Sequence, residues 1–411
     1  MSVITATEVE AAKGVLVIGL KDLVTPLARD RAKDLGVRIE RSAQPASPVL
    51  RPTPRPQAAT SPAPATAPVK PLPAAMSGAL YRRGGPLPPA LRAEPASGTG
   101  ACDPRPVAAV IGAGHVGAMT ALRLAETSLL SRVVLVDVVP GLAAGLALDM
   151  WHSASVRGFT TRMEGGVDMS AIAGADYVVV TAGKPRLPGM SRTDLTGVNA
   201  EIIKQVAAEI RVHAPRSVVV VVTNPLEEMT HLMAKATGFP AARVVGMAGV
   251  LDSARFRSLV ALTGVAEPRE IEAIALGSHG PEMVIPLSLA TAKGAPLASL
   301  LPADQLSAIV ERARDSGAEV VKLLQKGSAY FAPAESAAAM VSEMLRETGK
   351  VQAVCVQSGG AYALEDTRVG LPVKLGRGGV REIVQLALAP DENAALAKAA
   401  SSIAARVREL G

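Results

Sequence analysis

The stretch that constrains this chain most is an apolar run that turns on glycines and leads directly into a helical pattern. It reads Ala108-Ala-Val-Ile-Gly-Ala-Gly-His-Val-Gly117. Gly112 allows a tight turn, Gly114 lets a ligand approach the backbone, and Gly117 lets the helix pack closely on the strand. The N-terminus of that helix offers unpaired N–H groups to a pyrophosphate. The pattern predicts the strand, turn and helix of a dinucleotide-binding site.

An acidic residue follows at the distance that such a site requires. The run Arg132-Val-Val-Leu-Val-Asp137 predicts a second strand, and Asp137 lies 20 residues after Gly117. A carboxylate there accepts hydrogen bonds from the adenosine ribose and repels the extra phosphate of NADP, so NAD is the expected cofactor. The expected cofactor contacts in this region are Gly112, Ala113, Gly114, His115, Val116, Gly117 and Asp137.

The charge of the chain does not indicate a nucleic-acid partner. The formal net charge is +6, but residues 1–104 hold 13 Lys and Arg against 8 Asp and Glu, whereas the remainder holds 30 against 29. The part that carries the dinucleotide motif is therefore nearly neutral, and no nucleic-acid module accompanies the basic excess.

The apolar runs and the cysteines indicate where in the cell the protein is found and which partners it lacks. The longest apolar runs, such as Val218 to Val222, are far shorter than a membrane span. Two cysteines, Cys102 and Cys355, form neither a disulfide framework nor a metal-binding spacing. Charged residues early in the chain argue against a secretory signal. We expect a cytoplasmic protein with no metal site and no membrane partner.

Composition divides the chain into four parts. Residues 1–41 have the pattern of a small accessory or targeting unit, with a helix from Pro26 to Leu35 between two short strands. Residues 42–104 contain 15 of the 31 prolines and predict a disordered Pro/Ala-rich linker, in which Leu80 to Arg83 is a candidate docking patch. Residues 105–250 predict an NAD-binding domain, and residues 251–411 predict a catalytic substrate domain.

Strand and helix patterns alternate from residue 105 onward and predict an α/β protein. Continuous Val, Ile and Leu runs are typical of parallel strands that are covered on both faces, so the first part is expected to be a doubly wound Rossmann domain. The mixed pattern after residue 250 predicts an α+β domain packed on it. The predicted strands are 107–111, 133–137, 160–164, 177–181, 218–222, 243–247, 271–276, 351–357 and 380–388. The predicted helices are 115–129, 141–154, 192–213, 226–237, 251–263, 303–326, 333–347 and 391–410.

Three clusters carry more charge than packing requires. Arg186 and Arg192 lie six residues apart in a Gly/Pro-bounded loop after a strand, where a loop can close over a ligand. Asp252 and Arg255 share one face of a predicted helix. His279 follows an apolar strand on what we expect to be an exposed bend. A solvated loop and a surface ion pair are the plainer explanations of the first two clusters.

Taken together, these motifs resemble the lactate/malate dehydrogenase family, in particular its lactate-dehydrogenase-like malate dehydrogenases. The resemblance covers roughly residues 105–411. It includes the segments Val222-Thr-Asn-Pro225, Gly327-Ser-Ala-Tyr-Phe-Ala-Pro333 and Val369-Gly-Leu-Pro-Val-Lys-Leu-Gly376.

The resemblance implies a role for each candidate residue. His279 would exchange the proton, and Asp252 would orient its imidazole. Arg255 would bind the substrate carboxylate, and Arg192 would polarise the reacting carbonyl. The remaining implied contacts are Asn224 to substrate, and Asn199, Val222, Thr223 and Asn224 along the nicotinamide and ribose. The family also implies a homodimer or homotetramer.

Arg186 is the residue that selects the substrate in this interpretation. In the family this loop position faces the far end of the substrate, and an arginine there pairs with the second carboxylate of oxaloacetate. The expected reaction is reversible hydride transfer between malate and oxaloacetate. Two alternatives stay open: a dehydrogenase of lactate or another 2-hydroxy acid, and a catalytically idle NAD-binding scaffold subunit.

Some positions depart from the family pattern. His115 stands where the glycine turn commonly has Asn or a small residue, Ser278 replaces a glycine before His279, and Pro281-Glu282 replaces an Asp-Ser or Asp-Thr pair. None of these changes removes a catalytic group.

Residues 1–41 have no place in that family. The segment Ile18 to Gly36 is similar to short segments found on proteins of bacterial microcompartments. This similarity implies a shell or cargo partner for residues 1–41, and a location in the microcompartment lumen is the alternative to the open cytoplasm.

Overall fold

The computed structural model describes residues 3–4, 9, 12, 14–19, 22–24, 26–42, 103–184, 192–325 and 327–410. The chain divides into two units, Met1–Pro95 and Ala96–Gly411. Most of the predicted linker, its Leu80–Arg83 patch and the loop that contains Arg186 lie outside the described residues.

The first unit is a small β–α–β arrangement. Its elements are β1 Val3–Ile4, β2 Val15–Gly19, β3 Leu23–Val24, α1 Pro26–Asp34 and β4 Arg38–Ser42. Strands β2 and β4 pair in parallel, with Val15 opposite Arg38. Ala28 and Ala32 of the helix are buried with Ile18, because alternate residues of β2 face the helix. The short strand, helix and strand predicted here are present.

The second unit begins with six strands that alternate with helices. These elements are β5 Val107–Ile111, α2 His115–Glu126, β6 Arg132–Val136, α3 Leu142–Arg157, β7 Arg162–Gly166, β8 Tyr177–Val180, α4 Arg192–His213, β9 Val218–Val221, α5 Leu226–Thr237 and β10 Val244–Gly246.

The remaining elements of this unit are mixed. They are α6 Gly249–Ala261, β11 Ile271–Glu272, β12 Leu276–Gly277, β13 Met283–Val284, β14 Thr291–Ala292, β15 Ala295–Pro296, α7 Leu297–Leu300, α8 Ala303–Leu324, α9 Phe331–Arg346, β16 Val351–Gln357, β17 Arg368–Gly376, β18 Gly379–Ile383 and α10 Pro390–Arg408.

The six parallel strands have the order β7-β6-β5-β8-β9-β10, which is the doubly wound Rossmann order. Every residue of β8 and β9 is buried, because helices cover both faces of the sheet. Strands β6 and β7 are added on one side of β5, whereas β8, β9 and β10 are added on the other, so the strand order reverses between β5 and β8. The carboxyl ends of these two strands form the crevice where ligands bind in such sheets. The predicted fold class, an α/β chain with a Rossmann domain followed by a substrate domain, is confirmed.

The same sheet continues into the second half of the unit. Strand β10 pairs with β16 through Gly246 and Cys355, and β16, β17, β12 and β13 extend the sheet by antiparallel pairing. A separate antiparallel sheet contains β11, β14 and β15. The substrate-domain residues near β12 are therefore connected to the Rossmann strands through one hydrogen-bonded sheet.

Some predicted boundaries were wrong. The strand predicted at 160–164 forms at 162–166, and the one predicted at 271–276 forms two short strands in different sheets. The strand at 380–388 ends at Ile383. Strand β17, which pairs on both sides, was not predicted as a strand because it contains Pro372, and proline normally argues against an internal strand.

Candidate active site

The glycine turn has the geometry that a pyrophosphate requires. Gly112 has φ +103°, and a Cβ there would lie 2.7 Å from the backbone nitrogen of Ala182. A Cβ on Gly117 would overlap the carbonyl oxygen of Gly112, whereas a Cβ on Gly114 would meet no atom within 4 Å. Two glycines are thus required by packing, and the third borders open space at the start of α2. Among the described residues no side chain caps this helix, so its first N–H groups are available to a ligand.

Asp137 supports this turn directly. Its Oδ2 accepts a hydrogen bond from the Ala113 N–H at 2.6 Å, and its Oδ1 accepts one from the Val139 N–H at 2.9 Å. Each carboxylate oxygen has two lone pairs, so one acceptor site on each oxygen remains for a ribose hydroxyl. The turn, the open space at Gly114 and this carboxylate together fit the pyrophosphate and ribose of NAD.

His279, Asp252 and Arg255 form one connected cluster. His279 Nδ1 lies 2.8 Å from Asp252 Oδ2, and Arg255 donates a hydrogen bond to Asp252 Oδ1 at 3.3 Å. Asp252 is 1% exposed. It lies on the first turn of α6, which places the carboxylate beneath the imidazole. Because an ionised carboxylate can only accept, Nδ1 carries the proton and Nε2 is free to exchange a proton with a substrate.

The surroundings of His279 differ from the exposed bend that was expected. Its side chain is only 21% exposed. Its backbone N–H donates to Glu227 Oε1 at 2.6 Å, and Glu227 is buried at the start of α5. The predicted bend is present, but the prediction that it is exposed was wrong because α5 lies close to this loop, a contact that local sequence does not reveal.

Charges around His279 favour its protonated form. The Asp252 carboxylate raises the pKa of the imidazole, burial opposes this shift, and Glu227 adds to the increase while Arg255 reduces it. Burial raises the pKa of the Glu227 carboxyl. The site therefore holds an imidazolium more readily than water does, which suits a proton donor.

The asparagines at the strand ends have separate environments. Asn199 is buried, and its side-chain amide donates to the carbonyl oxygens of Asn224 at 2.7 Å and Lys184 at 3.2 Å, while its Oδ1 accepts from the Lys184 N–H. Both amide hydrogens of Asn199 are thus used within the protein. Asn224 is exposed at the end of β9, so its side chain is accessible to a ligand.

Thr223 is buried and donates to the Ala182 carbonyl oxygen at 2.7 Å, which ties the end of β9 to the end of β8. Val222 is partly buried beside it, and its N–H donates to the carbonyl oxygen of Val180.

His115 is the first residue of α2, and Val116 follows it in the first turn. The centroid of the His115 ring lies 5.0 Å from that of the Tyr330 ring.

The side chains of the two loop arginines, Arg186 and Arg192, are not among those that the structure describes. Arg186 lies outside the described residues. Arg192 is the first residue of α4, and its side chain is likewise outside the description. The structure thus brings together His279, Asp252 and Arg255 and leaves the position of the two guanidinium groups as a prediction.

Sequence reasoning missed three residues that hold the site together. Glu227 binds the His279 backbone, and Thr181 Oγ1 lies 3.0 Å from the Gly112 carbonyl oxygen. Arg406, on the last helix, contacts Ser278 and Glu282 on either side of His279. Two adjacent acidic residues directly after Asn224-Pro225-Leu226 were a signal for Glu227, but acidic residues are also ordinary in the first turn of a helix.

No group of three or more His, Cys, Asp or Glu in the described ranges is arranged to hold a metal ion. The described helices include none that is long and apolar enough to cross a membrane.

A Rossmann domain whose strand ends face a carboxylate-supported imidazole is the arrangement of a nicotinamide-dependent oxidoreductase. Two family models match the chain: the lactate/malate dehydrogenase NAD-binding domain over residues 107–246, and the lactate/malate dehydrogenase alpha/beta C-terminal domain over residues 249–410. The chain belongs to the lactate/malate dehydrogenase family, and NAD is its cofactor.

Individual relatives agree with this assignment. A malate dehydrogenase of Chloroherpeton thalassium is 44% identical over 294 residues, which are 72% of this chain and 95% of the relative. Among solved structures, a malate dehydrogenase of Cryptosporidium parvum has TM-score 0.72 and 35% identity, covering 74% of this chain and 99% of that chain. A lactate dehydrogenase of Cryptosporidium parvum, complexed with lactic acid and nicotinamide adenine dinucleotide, has TM-score 0.72 and 34% identity, covering 74% of this chain and 98% of that chain.

Proposed function

We propose that this protein is an NAD-dependent malate dehydrogenase that catalyses reversible hydride transfer between malate and oxaloacetate. The contact that carries the chemistry is His279 Nδ1 on Asp252 Oδ2 at 2.8 Å. It fixes the imidazole so that Nε2 faces away from the carboxylate. When bound, NAD supplies the nicotinamide carbon that accepts or returns the hydride.

Each side chain then has a defined task. In malate oxidation His279 Nε2 takes the proton of the C2 hydroxyl as the hydride leaves C2, and in oxaloacetate reduction it returns that proton. Asp252 keeps the imidazole in one tautomer and stabilises its charged form. Arg255, 15% exposed, binds the C1 carboxylate through two N–H groups. Asn224 donates to the substrate, and Arg192 polarises the reacting carbonyl when its loop closes.

The remaining contacts to the cofactor belong to the same proposal. His115 and Val116 present backbone N–H groups to the pyrophosphate, Ala113 shapes the turn through its N–H bond to Asp137, and Asp137 accepts from the adenosine ribose. Asn199, Val222 and Thr223 shape the region of the nicotinamide and its ribose. Since the amide hydrogens of Asn199 are already used, we propose that it contributes by holding Asn224 and Lys184 in place.

The choice of malate over lactate depends on Arg186. A dicarboxylate places a second charge where this guanidinium is expected, and a charge-assisted hydrogen bond there contributes about 1.5–3 kcal/mol. An arginine buried without that partner disfavours pyruvate further. The name of the Chloroherpeton thalassium relative supports the same choice, whereas the similar lactate dehydrogenase fold keeps a lactate-type substrate as the second candidate.

The test is NADH oxidation with oxaloacetate, pyruvate and glyoxylate in parallel, repeated with NADPH. We expect oxaloacetate and NADH to give the highest kcat/KM. Arg186→Gln should shift preference toward pyruvate, and Arg216→Gln, at an exposed position, should leave it unchanged. Equal or better turnover of pyruvate by the unaltered protein would identify a lactate-type enzyme. An absence of turnover with every substrate would favour an idle NAD-binding scaffold.

We also propose that the protein is a homodimer or homotetramer. Helix α3 exposes three large apolar side chains, Leu148, Trp151 and Val156, of which Val156 is 84% exposed. Exposed apolar side chains grouped on one surface mark protein–protein contacts. Light scattering after gel filtration tests the mass of the particle. Trp151→Glu together with Leu148→Glu should reduce it to that of one chain, and an unchanged mass would place the contact elsewhere.

For the N-terminal unit we propose a docking role. The support is its own small core and the exposed Val15 and Val17 on β2, together with the proline-rich segment that separates residues 1–41 from the enzyme. The partner would be a microcompartment shell or its cargo, which would place the enzyme in the lumen rather than the open cytoplasm. If deletion of residues 1–100 leaves co-sedimentation with shell particles unchanged, this role is wrong.

We also propose that the chain divides as its composition predicts. Its parts are an accessory unit at residues 1–41, a linker at 42–104, an NAD-binding domain at 105–250 and a substrate domain at 251–411.

A further inference from the structure

A cluster of polar and charged side chains links the last helix to the loop that carries His279. Arg406 of α10 donates from Nε to Glu228 Oε1 at 2.9 Å, from one terminal nitrogen to Glu282 Oε2 at 3.2 Å, and from the other to Ser278 Oγ at 3.2 Å. We call these four residues the Arg406 cluster: Arg406, Glu228, Ser278 and Glu282. All three nitrogens of one guanidinium are thus engaged, and none of the roles proposed above uses them.

Arg406 contacts the chain on both sides of His279. Ser278 immediately precedes His279, and Glu282 follows it by three residues, so one guanidinium binds both ends of the loop. Gly277, which ends β12 directly before the loop, and Gly280 within the loop have φ +80° and +148°, conformations that glycine adopts without steric cost. Such a loop has little intrinsic rigidity, and contacts from outside must fix its shape.

The cluster also adjoins the residue that holds the His279 backbone. Glu228 follows Glu227 on the first turn of α5, and Glu227 accepts the His279 N–H at 2.6 Å. The Glu228 side chain is 3% exposed and that of Arg406 is 21% exposed. Burying a charged side chain without a partner is costly, so this ion pair connects α5 to α10 beside the loop.

Ser278 and Glu282 are also two of the positions at which this chain departs from the family pattern, and the same arginine contacts both. A lysine could replace it only in part, because an ammonium group is a single point charge, whereas the planar guanidinium reaches three acceptors in fixed directions. The contacts with Arg406 therefore give both Ser278 and Glu282 a structural role in the loop.

We propose that Arg406 is a positioning residue for His279, acting through Ser278, Glu282 and Glu228 to hold the imidazole against Asp252. The inference rests on the proposed dehydrogenase function and deepens it. Arg406 makes no contact with Asp252, Arg255 or the glycine turn among its described hydrogen bonds. Its loss should therefore affect the proton-transfer step more than the binding of substrate or cofactor.

The experiment uses the full chain and compares Arg406→Met and Arg406→Lys with Arg408→Met. Arg408 is a matched control, because it lies two residues further along α10 and pairs with Glu365 at the surface. We expect Arg406→Met to lower kcat for oxaloacetate reduction about 10- to 100-fold, since a displacement near 1 Å costs up to that much. KM for oxaloacetate and Kd for NADH should not change. Arg406→Lys should recover part of kcat, and Arg408→Met should behave as the unaltered protein.

A second measurement does not depend on turnover. Hydrogen exchange of the peptide that covers residues 276–284 should be faster in Arg406→Met and unchanged in Arg408→Met. If the unaltered protein reduces no substrate, the proposed function is wrong, and hydrogen exchange still decides whether Arg406 holds the loop.

The inference is overturned if Arg406→Met keeps the kcat of the unaltered protein, or if KM and kcat change equally. It is also overturned if exchange in residues 276–284 does not accelerate. Should Arg406→Met fail to fold, the double variant Ser278→Ala with Glu282→Ala removes the two loop contacts and leaves the pair with Glu228. A reduced kcat at constant KM in that variant supports the inference, and an unchanged kcat refutes it.

Discussion

Asp252 interacts with two partners of different function. One oxygen lies against His279 and the other against Arg255, so a single buried carboxylate orients both the proton-exchanging group and the group proposed to bind substrate. The Asp252 charge is also the main cause of the raised pKa of His279. Loss of this charge should therefore be visible in the pH dependence of the reaction.

The first prediction concerns that dependence. Oxaloacetate reduction consumes the proton of His279, so its kcat/KM should fall as pH rises through the imidazole pKa. In Asp252→Asn this pKa is lower, and the falling limb should move to lower pH. The measurement is kcat/KM against pH for the unaltered protein and the variant.

The control is Asp304→Asn, which removes an exposed carboxylate from the first turn of α8 and should leave the profile in place. Removal of the imidazole itself in His279→Asn should lower kcat about 100- to 10,000-fold at every pH. A limb that stays fixed in Asp252→Asn would show that this carboxylate does not set the pKa.

Asp137 carries a second prediction at this scale. In Asp137→Ser the ribose loses an acceptor and the extra phosphate of NADPH is no longer repelled. We expect the ratio of kcat/KM for NADPH over NADH to rise about 10-fold or more, as the loss of a charge-assisted hydrogen bond implies.

A matched variant separates the two roles of Asp137. Asp137→Asn keeps an oxygen that can accept from the Ala113 N–H but removes the charge. It should accept NADPH better than the unaltered protein while retaining its melting temperature. If neither variant changes the cofactor ratio, another residue selects NAD.

At the scale of elements, the start of α2 offers a paired test of the glycine turn. In Gly117→Ala the new methyl group would overlap the Gly112 carbonyl, and overpacking of this kind costs about 1–3 kcal/mol. In Gly114→Ala the methyl group meets open space, and φ −68° suits alanine. We expect Gly117→Ala to lower both Tm and NADH affinity, and Gly114→Ala to weaken NADH binding at constant Tm.

Fluorescence titration with NADH and thermal unfolding distinguish these outcomes. Gly145→Ala is the control, since it lies within α3, where a Cβ also meets no atom within 4 Å. Unchanged NADH affinity in Gly114→Ala would mean that the pyrophosphate does not approach this turn.

Local patterns predicted the Rossmann elements well because each buried strand is a run of apolar residues. Val218–Val221 and Tyr177–Val180 are such runs, and the helices at 192–213 and 226–237 begin and end as predicted. Strand β17 was not predicted because Pro372 and Lys374 interrupt its apolar pattern. Its stability comes from pairing with β16 and β18, which are separate in the sequence.

Prediction of the active site has the same limit, because its contacts join residues that are far apart in the sequence. The pairing of Asp252 with His279 joins residues on different elements, and only the family resemblance predicted it. The contacts of Glu227 and Arg406 with the same loop were not predicted, because Arg406 lies more than a hundred residues from either partner and no periodic pattern marks it. Such contacts depend on how helices pack, which local sequence does not specify.

At the scale of the whole molecule, the sheet joins the cofactor and substrate regions. Gly246 pairs with Cys355, and Leu276–Gly277, directly before the His279 loop, extends the same sheet through β17. The distance between the glycine turn and His279 is thus fixed by backbone hydrogen bonds rather than by a flexible connection. All described contacts of the site lie within residues 103–410, and we therefore expect the site to function independently of the N-terminal unit.

The last prediction follows from that independence. The family models begin at residue 107, and the chain divides between residues 95 and 96. A chain that contains only residues 103–411 should keep kcat, KM for oxaloacetate and Kd for NADH, because every described contact of the site lies within it. It should also keep the Tm of its main unfolding transition. Steady-state kinetics and calorimetry on both chains measure these quantities, and a lower kcat or Tm in the shorter chain would show that residues 1–102 support the enzyme and do more than recruit it.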